Sequence, residues 1–275
     1  MDHISIENLE VFARHGMYEE EVNLGQKFLV SAKLYFDAST AGKTDDLSRS
    51  VNYADACKDI TEWMKTNSCR LIETVAERLA AKLLKDYAVV REVEVVIKKP
   101  WAPIGLPLEC VSITITRKWH TVYLSIGSNM GDRKKYLEDG IEYLKQDDNV
   151  RILSVSSFIN TKPYGMVNQD DFLNGAVELE TLLSPDELLD LLHGAEAAAN
   201  RERKEHWGPR TLDMDILLYD DLVINKEDLT IPHADMLNRD FVLRPLSEIA
   251  PYAVHPLEGK TVAALLRELD NRQEA

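Results

Sequence analysis

The run from Lys27 to Phe36 alternates in a way that only an extended chain can use. Phe28, Val30, Ala32, Leu34 and Phe36 fall on one side of it, and Lys27, Ser31 and Lys33 on the other. A strand with one continuous apolar face needs a cover, and the following residues supply two helical patterns. Tyr53 to Met64 carries Ile60, Trp63 and Met64 at helical spacing; Glu73 to Leu84 carries Ala76, Leu79, Ala80, Leu83 and Leu84. Two more alternating segments follow, Val93 to Ile97 and Val111 to Thr116. Strand pair, helix pair, strand pair predicts an α+β unit, an antiparallel sheet with helices on one face.

That unit uses fewer than half of the 275 residues, so a second domain is expected. The junction, Arg117 to His120, is short and polar and has neither Gly nor Pro. Beyond it, strand patterns near Val122–Ile126, Ile152–Ser156 and Ala176–Leu179 are interleaved with helices. One helix is marked in detail: Ser184 caps it, Pro185 opens it, Glu187 completes a capping box, and Leu188, Leu191, Leu192 and Ala195 form its inner stripe. It is expected to end near Asn200, a residue type that tolerates the left-handed conformation.

Composition excludes several classes. A net charge of −15 disfavours nucleic acid and anionic membranes as partners, since both require a basic face. The charge is uneven, −2 through Trp119 and −13 thereafter. No apolar run approaches the roughly 20 residues that span a bilayer, and the opening Met1-Asp2-His3-Ile4 does not read as a signal peptide, so a cytoplasmic protein is expected. Cys57, Cys69 and Cys110 are too widely spaced for a zinc site and odd in number for a disulfide framework.

The chemistry concentrates in Trp207-Gly208-Pro209-Arg210-Thr211-Leu212-Asp213-Met214-Asp215-Ile216. Gly208-Pro209 punctuates the chain, and the alternation that follows puts Leu212, Met214 and Ile216 on one face, leaving Asp213 and Asp215 on the other. Residues two apart on a strand stand roughly 6.6 Å apart, close enough for two carboxylates to share Mg²⁺ ions with a polyphosphate. Arg201, Arg203, Lys204 and Arg210 supply local positive charge in an acidic half. By contrast, Gly259-Lys260-Thr261 lacks the upstream glycine of a phosphate loop and reads as a turn before the last helix.

This segment resembles the signature of 6-hydroxymethyl-7,8-dihydropterin pyrophosphokinases. Val122 to Asp132, Asp171-Phe172-Leu173-Asn174 and Ile231-Pro232-His233 match further motifs of that family in order. The resemblance implies a ferredoxin-like α+β domain over residues 119–275 that binds ATP and two Mg²⁺ ions. It assigns Asp213 and Asp215 to the metal, and Arg201, Arg203, Arg210 and His233 to the ATP side, with Glu196 and Trp207 lining the nucleotide pocket. Asn174 would read the pterin edge, Phe172 and Phe241 would stack on the ring, and Thr161 and Tyr164 fall at matched pterin positions.

Over residues 1–118, His15-Gly16, Glu21, Leu24-Gly25-Gln26, Tyr53, Leu71-Ile72-Glu73 and Lys98-Lys99-Pro100 together resemble dihydroneopterin aldolase. That implies a tunnelling-fold subunit, an antiparallel sheet with two helices, whose sheets join into homo-oligomeric rings. It implies a retro-aldol cleavage without metal or Schiff base, in which Lys99 serves as base, Tyr53 takes part in the matching protonation, Glu21 orders hydroxyls and water, and Glu73 with Ile72 holds the pterin. The combined expectation is a bifunctional folate-biosynthesis enzyme taking pterins and ATP. The rival reading is a pyrophosphokinase with an idle N-terminal oligomerisation module.

Overall fold

The structure, a computed structural model, describes residues 1–162, 170–199 and 210–274. The chain splits into two compact units, Met1–Trp119 and His120–Ala275.

In the first unit the order is β1 (Asp2–Ala13), α1 (Glu19–Leu24), β2 (Gln26–Phe36), α2 (Ser39–Thr44), α3 (Tyr53–Thr66), α4 (Ile72–Asp86), β3 (Glu92–Lys99) and β4 (Val111–Lys118). The strands form an antiparallel sheet in the order β1-β2-β3-β4. The alternation of β2 is realised along its whole length: Phe28, Val30, Ala32, Leu34 and Phe36 are buried. On the same face Val30 lies opposite Ile97 and Leu34 opposite Val93. Helices α3 and α4 cover that face, burying Ala56, Ile60 and Met64 from one and Val75, Leu79, Leu83 and Leu84 from the other. The two expected helices are present, joined by the short α1 and α2, which carry no marked apolar stripe. In β1 the register shifts between Ile6 and Leu9, where Asn8 adopts φ 52° and donates its backbone N–H to Ser31 Oγ at 2.9 Å.

The second unit runs β5 (His120–Ser128), α5 (Arg133–Lys145), β6 (Val150–Val155), β7 (Ile159–Thr161), β8 (Phe172–Thr181), α6 (Pro185–Ala198), β9 (Asp213–Tyr219), β10 (Ile224–Asn225), β11 (Thr230–Ile231), α7 (Asp240–Ile249), β12 (Val254–His255), β13 (Lys260–Thr261) and α8 (Val262–Glu274). Its central sheet has the order β6-β8-β5-β9, with β7 also pairing β8, all antiparallel. One face carries Val122, Leu124, Ile126, Val177, Met214 and Ile216 against α5 and α6; the other carries Ala176, Leu217 and Tyr123 against α7 and α8. The capping box of α6 is formed, with Ser184 Oγ accepting from the Glu187 amide and the Glu187 carboxylate accepting from Ser184 N–H at 2.8 Å. The helix stops at Ala198, capped by Ala199, and the expected terminator Asn200 lies outside the described residues. Gly259 makes the tight turn between β12 and β13 at φ 63°, as expected of an ordinary turn. No helix among the described residues is long and apolar enough to cross a membrane.

Candidate active sites

In the first unit the sheet register builds the site. Gln26 opens β2 with the parity of Phe28, and Lys99 ends β3 with the parity of Ile97, so both side chains emerge from the helix-covered face at one end of the sheet. Glu21 of α1 closes the group. Its Oε1 lies 2.5 Å from Lys99 Nζ and accepts from Gln26 Nε2 at 2.9 Å, while Oε2 accepts from the backbone N–H groups of Met17 at 3.0 Å and Tyr18 at 3.1 Å. Burial pushes the Glu21 pKa upward, but hydrogen bonds from Lys99, Gln26 and the Tyr18 amide outweigh it and hold the carboxyl below its usual range. A side chain at Gly16 could not coexist with this cradle, because a Cβ there would stand 2.4 Å from Glu21 Oε2.

Tyr53 and Ile72 are the first residues of α3 and α4, and Glu73 follows in the first turn of α4. Tyr53 is 63% exposed and Glu73 is exposed as well. The structure thus joins Glu21 to Lys99 directly and holds Tyr53 and Glu73 at solvent-facing helix starts; no hydrogen bond among the described residues links either of them to that pair. Gln26 has no role in the sequence reading beyond its place in a motif. The available signal is its position, an amide side chain on the apolar face of a strand, where burial demands a partner.

In the second unit one cross-strand row organises the site. Asn174 of β8 pairs with Gly127 of β5, and Gly127 pairs with Asp213 of β9, so the three share a sheet face. At about 4.8 Å per strand, the backbones of Asn174 and Asp213 stand roughly 10 Å apart. The Asn174 amide lies over Gly127, in room that only a glycine leaves: a Cβ there would lie 2.6 Å from Asn174 Oδ1. Asn174 Nδ2 donates to Thr161 Oγ1 at 2.7 Å, and Thr161 pairs with Phe172, which returns to the same face. Phe241, half-buried in the first turn of α7, lies under the Arg239 guanidinium with its ring centroid 5.8 Å away.

The expected alternation of β9 is present, with Leu212, Met214 and Ile216 buried and Asp213 and Asp215 on the opposite face. Asp213 Oδ2 pairs with Arg210, whose backbone is clamped by Asn129: Arg210 N–H donates to Asn129 Oδ1 at 2.7 Å, and Asn129 N–H donates to the Arg210 carbonyl at 3.0 Å. Burial, and then the Asp213 charge, raise the pKa of Asp215; His233, Arg210 and Arg239 pull the other way. Burial lowers the pKa of His233, partly opposed by Asp215 and Asp235. Its Nδ1 accepts from the Asp235 amide at 3.2 Å. Glu196 is buried, and its Oε1 accepts from the Met214 N–H at 2.9 Å, which ties α6 to the aspartate strand.

Arg239 escapes the sequence reading. It pairs with Asp235 at 2.8 Å and bears electrostatically on both Asp215 and His233. The trace it leaves in the sequence is an acid and a base four apart just after His233. Tyr164, Arg201, Arg203 and Trp207 lie outside the described residues.

Comparison with known proteins follows the two units. Residues 123–251 match the family model described as 7,8-dihydro-6-hydroxymethylpterin-pyrophosphokinase (HPPK), and residues 4–116 match that described as dihydroneopterin aldolase. A 2-amino-4-hydroxy-6-hydroxymethyldihydropteridine pyrophosphokinase of Methylorubrum extorquens is 41% identical over 148 residues, 54% of this chain and 92% of that one. The bifunctional protein FolKE of Lactococcus lactis subsp. lactis is 51% identical over 129 residues, 47% of this chain but 37% of that one. The folic acid synthesis protein FOL1 of Dictyostelium discoideum is 29% identical across 98% of this chain and 45% of its own length. The chain spans less than half the length of those last two relatives. Through its second unit the chain belongs to the 7,8-dihydro-6-hydroxymethylpterin-pyrophosphokinase family, and residues 4–116 before that unit match the dihydroneopterin aldolase model.

Proposed function

We propose that the chain is a bifunctional enzyme of folate biosynthesis, with an aldolase in its first unit and a pyrophosphokinase in its second. The observation that carries the second activity is the row Asn174-Gly127-Asp213, which sets a group able to read a pterin edge beside the carboxylates suited to a nucleotide's metal. The Lys99–Glu21 pair in its hydrogen-bonded cradle supports the first and weighs against an idle module.

In the aldolase step a base removes the proton from the C2′ hydroxyl of 7,8-dihydroneopterin. The C1′–C2′ bond breaks, its electrons pass into the ring C=N, and glycolaldehyde leaves; protonation at C1′ then gives 6-hydroxymethyl-7,8-dihydropterin. By the resemblance Lys99 serves the first transfer, alone or through water, once its ammonium has given up a proton, and Tyr53 takes part in the second. Such transfers contribute on the order of 10²- to 10⁴-fold each. Glu73 anchors the guanidinium-like pterin edge by paired hydrogen bonds, with Ile72 beside it. The exposed Tyr53, Leu71 and Trp101 suit a homo-oligomeric assembly of this unit.

In the kinase step the hydroxymethyl oxygen of that product attacks the β-phosphorus of ATP, the bond to the α-phosphate oxygen breaks, AMP leaves, and the hydroxyl proton is released. Asp213 and Asp215 fit Mg²⁺: they are adjacent like charges, one of them held above the usual carboxylate range, which a divalent cation would relieve. No group of three or more His, Cys, Asp or Glu is arranged for a metal among the described residues, consistent with a site completed by phosphate oxygens and water. When bound, two Mg²⁺ ions would neutralise phosphate charge. Arg210, His233 and, by resemblance, Arg201 and Arg203 stabilise the transferring group, Glu196 and Trp207 bound the nucleotide pocket, and Thr161, Tyr164, Phe172, Asn174 and Phe241 hold the pterin.

Separation of the activities tests this reading. Lys99→Ala should stop glycolaldehyde release while preserving diphosphate transfer to supplied hydroxymethyl-dihydropterin, and Asp213→Ala with Asp215→Ala should do the reverse. Undiminished AMP formation by the double variant would overturn the metal assignment.

A further inference from the structure

His15 is 1% exposed, yet the proposed proton transfers do not use it. Its ring meets Phe28 edge-on at 5.4 Å and stacks with Trp63 at 6.2 Å. Its Nδ1 accepts from the Cys69 backbone N–H at 3.1 Å. Two more bonds join the same strands of loop: Gly16 N–H donates to the Cys69 carbonyl at 2.9 Å, and Ser68 Oγ donates to the Arg14 carbonyl at 2.7 Å.

These bonds connect two functional segments. Immediately after Gly16 come Met17 and Tyr18, whose amides hold Glu21 Oε2. Shortly after Cys69 comes the start of α4, with Ile72 and Glu73. We infer that His15 is a positioning residue of the aldolase site, registering the loop that cradles Glu21 against the loop that presents Glu73, and so setting the spacing between the Glu21–Lys99 pair and the pterin anchor. The inference rests on the aldolase reading. Accepting at Nδ1 requires a neutral ring with its proton on Nε2. Burial, opposed by the Met64 carbonyl and aided by the Lys99 charge, lowers the His15 pKa to about 4, which keeps the ring in that form at neutral pH.

The test compares His15→Asn, His15→Gln and His15→Leu in the full chain. An Asn carbonyl reaches about the position of Nδ1, whereas a Gln amide reaches that of Nε2. Each variant is assayed for kcat and KM of dihydroneopterin cleavage, with thermal unfolding and diphosphate transfer as controls of the fold. His15→Leu and His15→Gln are expected to lower kcat and raise KM together, reducing kcat/KM by about 10- to 100-fold, the scale of a displacement near 1 Å in a reacting assembly. His15→Asn should recover most of that loss. Wild-type kcat/KM in a folded His15→Leu variant would overturn the inference. So would equal losses in the folded Asn and Gln variants, a comparison that still stands if His15→Leu fails to fold. A wild-type chain that transfers diphosphate but cleaves no dihydroneopterin would overturn the aldolase reading itself.

Discussion

Replacing Glu21 by Ala would strip one acceptor from four donors at once: Lys99 Nζ, Gln26 Nε2 and the amides of Met17 and Tyr18. The side chains of Lys99 and Glu21 are 11% and 8% exposed, so water can still reach part of the group and each orphaned donor is taken at the low end of its range. At ~1 kcal/mol for each of the three neutral donors the loss is ~3 kcal/mol, with a further contribution from the unpaired ammonium. Such a loss would be a large part of the 5–15 kcal/mol typical of a domain. Glu21→Gln keeps one carbonyl acceptor and should cost about half as much. The pH dependence has a definite sign. Because folding lowers the Glu21 pKa, its contribution is fully present above the unfolded value, near 4.3, and is lost as pH falls through the lower folded value. Urea unfolding at pH 7 and in acid, followed by tryptophan fluorescence of the first unit, measures both effects. Equal stability of wild type and Glu21→Ala at pH 7 would refute the reasoning, as would a difference that grows on acidification.

The second unit offers three further tests. Gly127→Ala sets a methyl group 2.6 Å from Asn174 Oδ1 and should raise KM for hydroxymethyl-dihydropterin by about 10-fold or more while changing the KM for ATP little, measured by AMP release. Asp215→Asn relieves a buried like-charge pair, so it should raise the melting temperature in the absence of metal at pH 7 while cutting kcat by roughly 10²-fold; calorimetry and AMP release report the two halves. Ser184→Ala removes the side-chain cap of α6 and should cost about 1 kcal/mol in chemical unfolding, with no change in KM for either substrate.

Where local chemistry decided the structure, the sequence was readable. The alternation of β2 and β9 and the Ser184–Glu187 box needed no tertiary information, and neither did the facing of Asp213 and Asp215. Two elements that break a local rule carry no clear sequence pattern: Asn8, in the left-handed region, interrupts the period of β1, and Pro245 lies inside α7, which continues through it. Site residues that depend on register or on side-chain packing were the least legible. Glu21, Gln26 and Lys99 meet because β2 starts beside the end of β3, and the Asn174-Gly127-Asp213 row exists only once β8 and β9 flank β5. Arg239 acquires its influence on Asp215 and His233 through the chain turn that precedes α7, which no periodicity encodes.

The central claim, two consecutive activities in one chain, is tested most directly by mass analysis of the products formed from 7,8-dihydroneopterin, Mg²⁺ and ATP by the purified protein. The account predicts hydroxymethyl-dihydropterin diphosphate together with glycolaldehyde and AMP. Unchanged dihydroneopterin, beside efficient diphosphate transfer to separately supplied hydroxymethyl-dihydropterin, would contradict it and leave the first unit an assembly module.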